Sequence, residues 1–455
     1  MLPSHLLGSD QISRRRFIVG SAAAAAGALA ASAFGQEKAA DRISPRIDKI
    51  NIGVVGAGGR GTEDISGCEG QNFIALCDVD DERAAGSFKK FPNAKRYKDW
   101  RKMLEAEKNL EAVIVATPDH NHAIVSIHAM KLGKHVYCEK PLTRTIYEAR
   151  QMAKVAAEMK VQTQMGTQGH AFEGSRQAVE VIRSGAIGDV TEVHVWSDRP
   201  GSWWQQSIDR PTDEQAIPAT LDWDTWLGPA PQRPYNKAYV PFTWRGFWDF
   251  GTGAIGDMGI HNFDTAFWAL ELGPPTSVEV KDAQGVNNET GPKWCIIEIN
   301  FPARGAKPPV KLTWYDGLKK PPTDLFQGEK RPTNGSLIVG SKGTLFTRTW
   351  HGGGEADDDF YVLLPRREFE GYKPPPQILP RAKSHHKEWL AAIRGVGAPL
   401  SNFGYAAVLT ESLLLGNVAL RCGKKLEWDA PNMRAINIPQ ADQFIRPQFR
   451  AGWSL

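Results

Sequence analysis

Residues Lys49–Gly61 read KINIGVVGAGGRG. Ile50, Ile52, Val54 and Val55 form a short apolar run of strand character. It leads directly into Gly56-Ala57-Gly58-Gly59-Arg60-Gly61, which fits G-x-G-x-x-G where a strand meets a helix. Gly56 permits the tight turn, Gly58 lets the backbone approach a pyrophosphate, and Gly61 allows close helix–strand packing. Backbone N–H groups and the helix N-terminus then face the phosphates. With 44 glycines in the chain, chance matches to this pattern are common, so its context decides. A second apolar run, FIALCDVD, ends at Asp78, 22 residues after Gly56. A carboxylate there accepts hydrogen bonds from the adenosine ribose and repels a 2′-phosphate, which favours NAD over NADP. Asp80 and Asp81 follow at once and leave open which carboxylate does this.

Further along come LEAVIVATP, the loop TPDHNHA, a helix with HAIVSIHAMKLG periodicity, and KHVYCEKPL. Strand alternates with helix, the signature of a parallel sheet. His122 sits where the loop enters its helix and reads equally as a capping histidine and as a chemical one; His120 is a weaker candidate. In Glu139-Lys140-Pro141, the proline restricts Lys140 to an extended backbone. That holds an ammonium at the carboxyl end of a strand, where open α/β sheets bind ligands. The second constellation is WRGFWDFGTGAIGDMGIHNFDTAFWAL. Asp257 and His261 stand at i and i+4 and share a face if the segment is helical. His is the side chain best suited to take a proton near neutral pH, and Asp257 can orient it or bind a second hydroxyl. Asp264 lies one turn further on as an alternative.

GVVGAGGRG, ATPDHNHA, GKHVYCEKPL and GDMGIHNFD, in that order, resemble the glucose–fructose oxidoreductase, inositol dehydrogenase and rhizopine-catabolism (Gfo/Idh/MocA) family over about residues 48–430. The phrases LDWDTWLGPAPQRPY and WRGFWDFGTGAIGDMG resemble a secreted branch of it. The resemblance implies a catalytic set of Lys140, Asp257 and His261. It implies cofactor contacts from Gly56, Ala57, Gly58, Gly59, Arg60 and Gly61, from Asp78, and from Thr117, Pro118, His122, Glu139, Lys140 and Gln168. It also implies hydride transfer between a sugar, glycoside or cyclic polyol and NAD, with NADP less favoured, and a homo-oligomer (dimer or tetramer) built on the second domain's sheet. Some family members are redox-neutral glycosidases that oxidise a ring hydroxyl transiently. Their N-acetylgalactosaminidase branch replaces E-K-P and D-x-x-x-H, which this chain keeps. A non-catalytic sugar-binding protein is the reading from a different class.

From about residue 171 the pattern changes. A helix (SRQAVEVIRSGAIG) precedes TEVHVWSD, SVEVKDA, KWCIIEINF, VKLTWYDG and GSLIVGSKGTLFTRT. Runs of strands without alternating helices predict an open, mainly antiparallel sheet. The expected fold is thus an α/β Rossmann domain (48–170) followed by an α+β domain (171–430) and a tail (431–455). The helices at HKEWLAAIRG and AAVLTESLLLGNVALR are expected to pack back on the core. Trp203, Trp204, Trp223, Trp226, Trp244 and Trp248 read either as a glycan-stacking lip or as the core of a loop insertion, the latter favoured by proline-rich flanks. Arg199, Arg210 and Arg245 are candidates for binding an acidic sugar. HGGGEADDD (351–359) has metal-compatible residues, but consecutive carboxylates in a glycine-rich turn read as a solvated loop, and no metal site is expected.

At 455 residues the chain has room for two or three domains. Its net charge of +4 is too small for a generic nucleic-acid binder. Five dispersed cysteines give neither a zinc spacing nor a disulfide framework. Residues 1–33, with Arg14-Arg15-Arg16, an alanine-rich run and Ala31-Ser32-Ala33, read as a twin-arginine export signal, followed by a linker (34–47). The expectation is a periplasmic or otherwise exported protein without stable membrane insertion. The export machinery it would use carries folded proteins, which implies a cofactor trapped before export.

Overall fold

The computed structural model describes residues 49–347 and 360–455. The export-signal reading and the 351–359 loop lie outside the described residues. The first sheet contains β1 (Asn51–Val55), β2 (Asn72–Cys77), β3 (Lys95–Tyr97), β4 (Ala112–Val115), β5 (His135–Cys138) and β6 (Thr163–Met165). All are parallel in the order 3-2-1-4-5-6, the doubly wound arrangement. Central strand β4 is buried at every position, as a sheet covered by helices on both faces requires. Helices α1 (Arg60–Gly67), α2 (Asp81–Lys90), α3 (Trp100–Ala106), α4 (Asp119–Lys131) and α5 (Ile146–Met159) make the crossovers. α5 starts with a capping box in which the Thr145 and Glu148 side chains and amides pair reciprocally.

After α6 (Glu173–Arg183) the chain supplies β7 (Val190–Trp196), β8 (Ser277–Gln284), β9 (Trp294–Phe301), β10 (Val310–Tyr315), β11 (Gly335–Gly340), β12 (Thr344–Thr347), β13 (Tyr361–Leu364), β14 (Leu426–Asp429) and β15 (Arg434–Ala435), which form one sheet in the order 13-12-11-7-10-9-8-14-15. Every neighbouring pair is antiparallel except β7 (Val190–Trp196) with β10 (Val310–Tyr315). In β9 (Trp294–Phe301) every second residue is buried, the period of a strand with one face on the core. Helix α7 (Trp223–Leu227) belongs to the insertion after β7, α8 (Asp264–Ala269) follows the histidine segment, and α9 (His385–Ile393) packs beside α1. Helix α10 (Phe403–Cys422) lies against α5 and the large sheet, locked by Arg150, whose Nε and Nη2 donate to the Glu411 carboxylate at 2.6 and 2.7 Å. Although no spanning run is expected beyond the signal, α10 is long and apolar enough to cross a membrane. In its most apolar stretch 83% of the residues are buried within the protein, the pattern of a core helix.

The segment 431–455, a tail by sequence, is stitched into the fold. β15 (Arg434–Ala435) pairs with β14 (Leu426–Asp429), the Arg450 amide donates to Pro229 O, and Trp453 packs near Trp100 of α3.

Candidate active site

The glycine turn connects β1 to α1. Gly56 has φ +86, which a side chain rarely tolerates, and the Gly56 and Ala57 amides both donate to Cys77 O at the end of β2. No side chain caps the α1 N-terminus at Gly59. Asp78 follows β2 directly. Its Oδ2 accepts from the Gly58 amide at 2.9 Å and its Oδ1 from the Asp80 amide at 3.0 Å. Burial pushes this carboxyl up, opposed by those two amides. Asp80 instead caps α2 through Glu82 N, and Asp81 pairs with Lys98. Asp78 is therefore the acidic residue that faces the turn.

A cleft of about 840 Å³ runs from this turn across the carboxyl ends of the strands. Gly56, Gly58, Arg60, Asp78, Thr117, Pro118, Glu139, Lys140, Gln168, Asp257 and His261 all line it. Lys140 and His261, distant in sequence, thus face one space. Lys140 precedes a cis Pro141. Its ammonium donates to the main-chain oxygen and to Oδ1 of Asp257, each at 2.8 Å. Arg199 Nη1 reaches the other Asp257 oxygen at 2.5 Å, and Arg245 Nε lies 3.4 Å from Oδ1. Burial opposes ionisation of Asp257, yet Lys140, Arg245 and Arg199 together hold its carboxyl far below the usual range. Asp257 is therefore a fixed anion that anchors three cations.

Asp257 and His261 reach the cleft from an unexpected backbone. Ile255–Gly259 forms a π-helical turn that runs into the α-helical turn Ile260–Asn262. Such turns recur at functional sites because they re-aim side chains. Asp264, the alternative carboxylate, is buried away from the cleft, accepting from Tyr405 Oη at 2.7 Å and pairing with His170 Nδ1 at 2.8 Å.

Glu139 forms the floor beside Lys140. It is 5% exposed and accepts from Gln168 Nε2 at 2.8 Å and from Arg60 Nε at 3.1 Å. Burial opposes its ionisation, but Arg60 and Lys140 hold its carboxyl below the ordinary range. Asp64, fully buried behind it, is pushed well up by burial and by Glu139, and its Oδ1 meets His386 Nε2 at 3.0 Å. Asp64 carried no motif signal; its position four residues after Arg60 on α1 was the only clue.

His122 does not line the cleft. Its Nδ1 meets Pro141 O and its Nε2 meets Thr117 O, both at 2.8 Å. Two carbonyl acceptors require two N–H donors, so the ring is an imidazolium. Burial disfavours that charge, but Cys138, Asp119 and the Pro141 carbonyl push its pKa up to about 10. His122 thus ties the threonine loop to the lysine turn from behind, a positioning role. His120 is likewise internal, against Trp226 O and Phe250 O.

Of the six insertion tryptophans, Trp204, Trp223, Trp226, Trp244 and Trp248 are buried and Trp203 is half exposed. The insertion is chiefly a loop core. It also straps the cleft. Thr220 O accepts from the Asp81 amide and from Lys98 Nζ, the Asp222 amide donates to Val79 O at 2.8 Å, and Asn121 Nδ2 donates to Trp226 O at 3.0 Å. Of the arginine candidates, Arg199 and Arg245 line the cleft, whereas Arg210 pairs with Glu289 at the surface.

The cleft fits a dinucleotide on observations of this structure. The Thr117 hydroxyl is buried without a hydrogen-bond partner, on a residue that lines the cleft. A Cβ on Gly61 would lie 1.9 Å from Gly56 O, so the turn is closed as tightly as glycine alone allows. No group of three or more His, Cys, Asp or Glu suited to a metal occurs among the described residues.

Asp257→Asn is expected to destabilise the protein near neutral pH by on the order of 3 kcal/mol, because it strands three partly buried cations. A carboxyl with a depressed folded pKa contributes stability above its unfolded pKa of about 4 and loses it as pH falls further. The melting temperatures of wild type and variant are therefore expected to converge as the pH is taken down from about 5.

This fold and site define a dinucleotide-binding α/β protein with a sheet-built second domain covering the cleft. The chain belongs to the Gfo/Idh/MocA family: the family's oxidoreductase profile with an NAD-binding Rossmann fold matches residues 50–167, and its C-terminal alpha/beta domain profile matches 171–351. It is 29% identical over 151 residues to inositol 2-dehydrogenase of Salmonella typhimurium (32% of this chain, 45% of that protein). It is 34% identical over 126 residues to glycosyl hydrolase family 109 protein 1 of Bacteroides fragilis (25% of this chain, 27% of that protein). The likeness therefore spans less than half of either relative. In fold it is similar to an inositol dehydrogenase homolog from Azotobacter vinelandii solved with NADH and myo-inositol (TM-score 0.56, 17% identity, covering 84% of this chain and 98% of that one).

Proposed function

We propose that the protein is an exported NAD-dependent oxidoreductase acting on a sugar, glycoside or cyclic polyol. The observation that carries this reading is the shared cleft, with the glycine turn at one end and Lys140 and His261 at the other. When bound, the nicotinamide supplies the hydride acceptor. Gly56–Gly61, Asp78, Thr117 and Glu139 would hold the cofactor. Asp78, tied to the glycine turn, favours an unphosphorylated ribose and hence NAD over NADP.

The chain's own residues divide the remaining work. Asp257 is held ionised far below neutral pH, so it is a poor base. His261 takes the hydroxyl proton. Lys140, fixed by two hydrogen bonds to Asp257, stabilises the developing alkoxide. Asp257 keeps that ammonium pointed and charged.

The strap over residues 79–81 supports a captive cofactor that leaves slowly. A captive cofactor suits the twin-arginine reading, because that route exports folded protein. Outside the cytoplasm it also demands a closed redox cycle, through a second substrate that returns the hydride or through a redox-neutral reaction. The second reading is therefore a glycoside hydrolase or lyase acting by transient ring oxidation, favoured by the strap and by the glycosyl hydrolase relative.

One experiment separates the two readings. Protein purified without added nucleotide is mixed with a panel of sugars, glycosides and cyclic polyols, following reduced nicotinamide absorbance and, for the glycosides, aglycone release together. Stoichiometric reduction without release supports the dehydrogenase. Release with no net reduction supports the hydrolase. Neither signal from any glycoside or polyol, with cofactor bound, contradicts both and favours a binding protein.

A further inference from the structure

We propose that the protein binds a chloride-sized inorganic anion between Arg144 and Arg421, at a site separate from the cleft. The inference does not depend on the oxidoreductase reading.

A small cavity of about 20 Å³ lies where the segment after the lysine turn, the insertion and α10 meet. Arg144 and Arg421 both line it, and no residue lines both this cavity and the cleft. Ile146, Trp248, Leu414, Val418 and Phe444 supply apolar walls. Arg144 Nη1 donates to Trp248 O at 3.1 Å. Arg421 donates no hydrogen bond to any described residue. Its guanidinium lies 3.9 Å from the Phe444 ring centroid and 5.6 Å from that of Trp248. The Nε of each arginine is buried with no acceptor, and neither guanidinium forms an ion pair with a described carboxylate. Two carboxylates act on them from further away, and both are committed elsewhere. Glu148 accepts from the amide and the hydroxyl of Thr145 at 2.9 and 2.8 Å, and Asp249 pairs with Arg233.

Like charges that share one small cavity repel, and buried N–H donors without acceptors cost free energy. Burial and Arg144 accordingly pull the Arg421 pKa down to about 10, against a smaller opposing pull from Asp249. An anion between the two guanidinium groups answers both costs. Thr145 and Ile146, which cap and begin α5, also border the cavity, so the positive end of that helix adds to the attraction. Size narrows the class. One water-sized sphere needs roughly 10–15 Å³ of such space, so the cavity admits a halide but not a tetrahedral oxyanion. The competing reading is that Arg421 only stacks on Phe444 at the C-terminal end of α10, where a cation suits the helix dipole, and that water meets its remaining donors. In that case chloride would act no differently from any other salt.

The test uses the full protein as purified, exchanged into the sodium salt of MES, a sulfonate too bulky for the cavity. The melting temperature is followed as that salt is replaced by sodium chloride at constant ionic strength. The expected result is a saturable rise of about 2–4 °C. Arg421→Met keeps the stem and removes one charge. It is expected to abolish the rise and to be no less stable than wild type in MES. Arg183→Met is the control. Arg183 also has a buried Nε without an acceptor but does not line this cavity, so its chloride response is expected to match that of wild type. Wild-type crystals transferred to sodium bromide are expected to show an anomalous peak between the two guanidinium groups, a result that does not depend on any variant folding. No bromide peak there would overturn the proposal, as would a chloride response undiminished in Arg421→Met. Sulfate density at the same place would overturn the assignment to a halide-sized ion.

Discussion

Replacing Lys140 with methionine is expected to slow reduction of the bound cofactor by about 10²–10⁴-fold with whichever sugar serves the wild type. The ammonium is the group placed to meet negative charge as the hydroxyl loses its proton, and two 2.8 Å bonds to Asp257 hold it there. Preorganised charge of this kind acts without reorganisation during the reaction, which is why its loss is large. Methionine keeps the length and apolar stem of the side chain, and Asp257 retains Arg199 and Arg245. The variant should therefore fold and keep its cofactor. Cofactor content after denaturation and the single-turnover rate are both measured. A rate equal to wild type at full cofactor occupancy would remove Lys140 from the chemistry.

Gly61→Ala is expected to yield protein lacking cofactor, with stability lowered by at least about 1–3 kcal/mol. The added Cβ would lie 1.9 Å from the Gly56 carbonyl oxygen, a backbone atom, and a Cβ is fixed to its own Cα, so neither can swing aside. Relief requires α1 to move away from the glycine turn, which opens the surface that would hold the phosphates. Gly86→Ala is the matched control. Gly86 lies on the exposed side of α2 with nothing within 4 Å of its Cβ position, so alanine there is expected to be neutral or to stabilise by about 0.5–1 kcal/mol. Melting temperatures and bound-nucleotide content of both variants, taken together, are the check. Full cofactor occupancy in Gly61→Ala would contradict the role assigned to the turn.

The parts of the molecule legible in the sequence are those governed by local pattern. The run from Ile50 to Gly61 specifies strand, turn and helix through neighbouring residues alone, and the alternation in WCIIEINF specifies a half-buried strand. Lys140, Asp257 and His261 stand in motifs whose residue types narrow the chemistry. What pattern did not give is long-range pairing. Asp257 reads as a partner for His261 on one helical face, whereas the fold commits its oxygens to Lys140, Arg199 and Arg245. A histidine at a loop–helix junction looks the same whether it faces ligand or backbone, and only the positions of Thr117 O and Pro141 O assign His122 to the latter. Arg210 and Arg245 are equivalent by composition; their separation depends on where Glu289 falls. The stretch from Thr220 to Trp226 is marked in the sequence by LDWDTW, but its hold on the cleft is not, because the strap contributes main-chain carbonyls and amides, which every residue carries.

The most direct test of the central claim, that the cleft holds a nicotinamide dinucleotide between the glycine turn and the Lys140–His261 end, is the native mass of the protein purified without added nucleotide. The expected result is one NAD per chain, released on denaturation and identified as NAD rather than NADP. A bare chain that also gains no mass when incubated with excess NAD or NADP would contradict it.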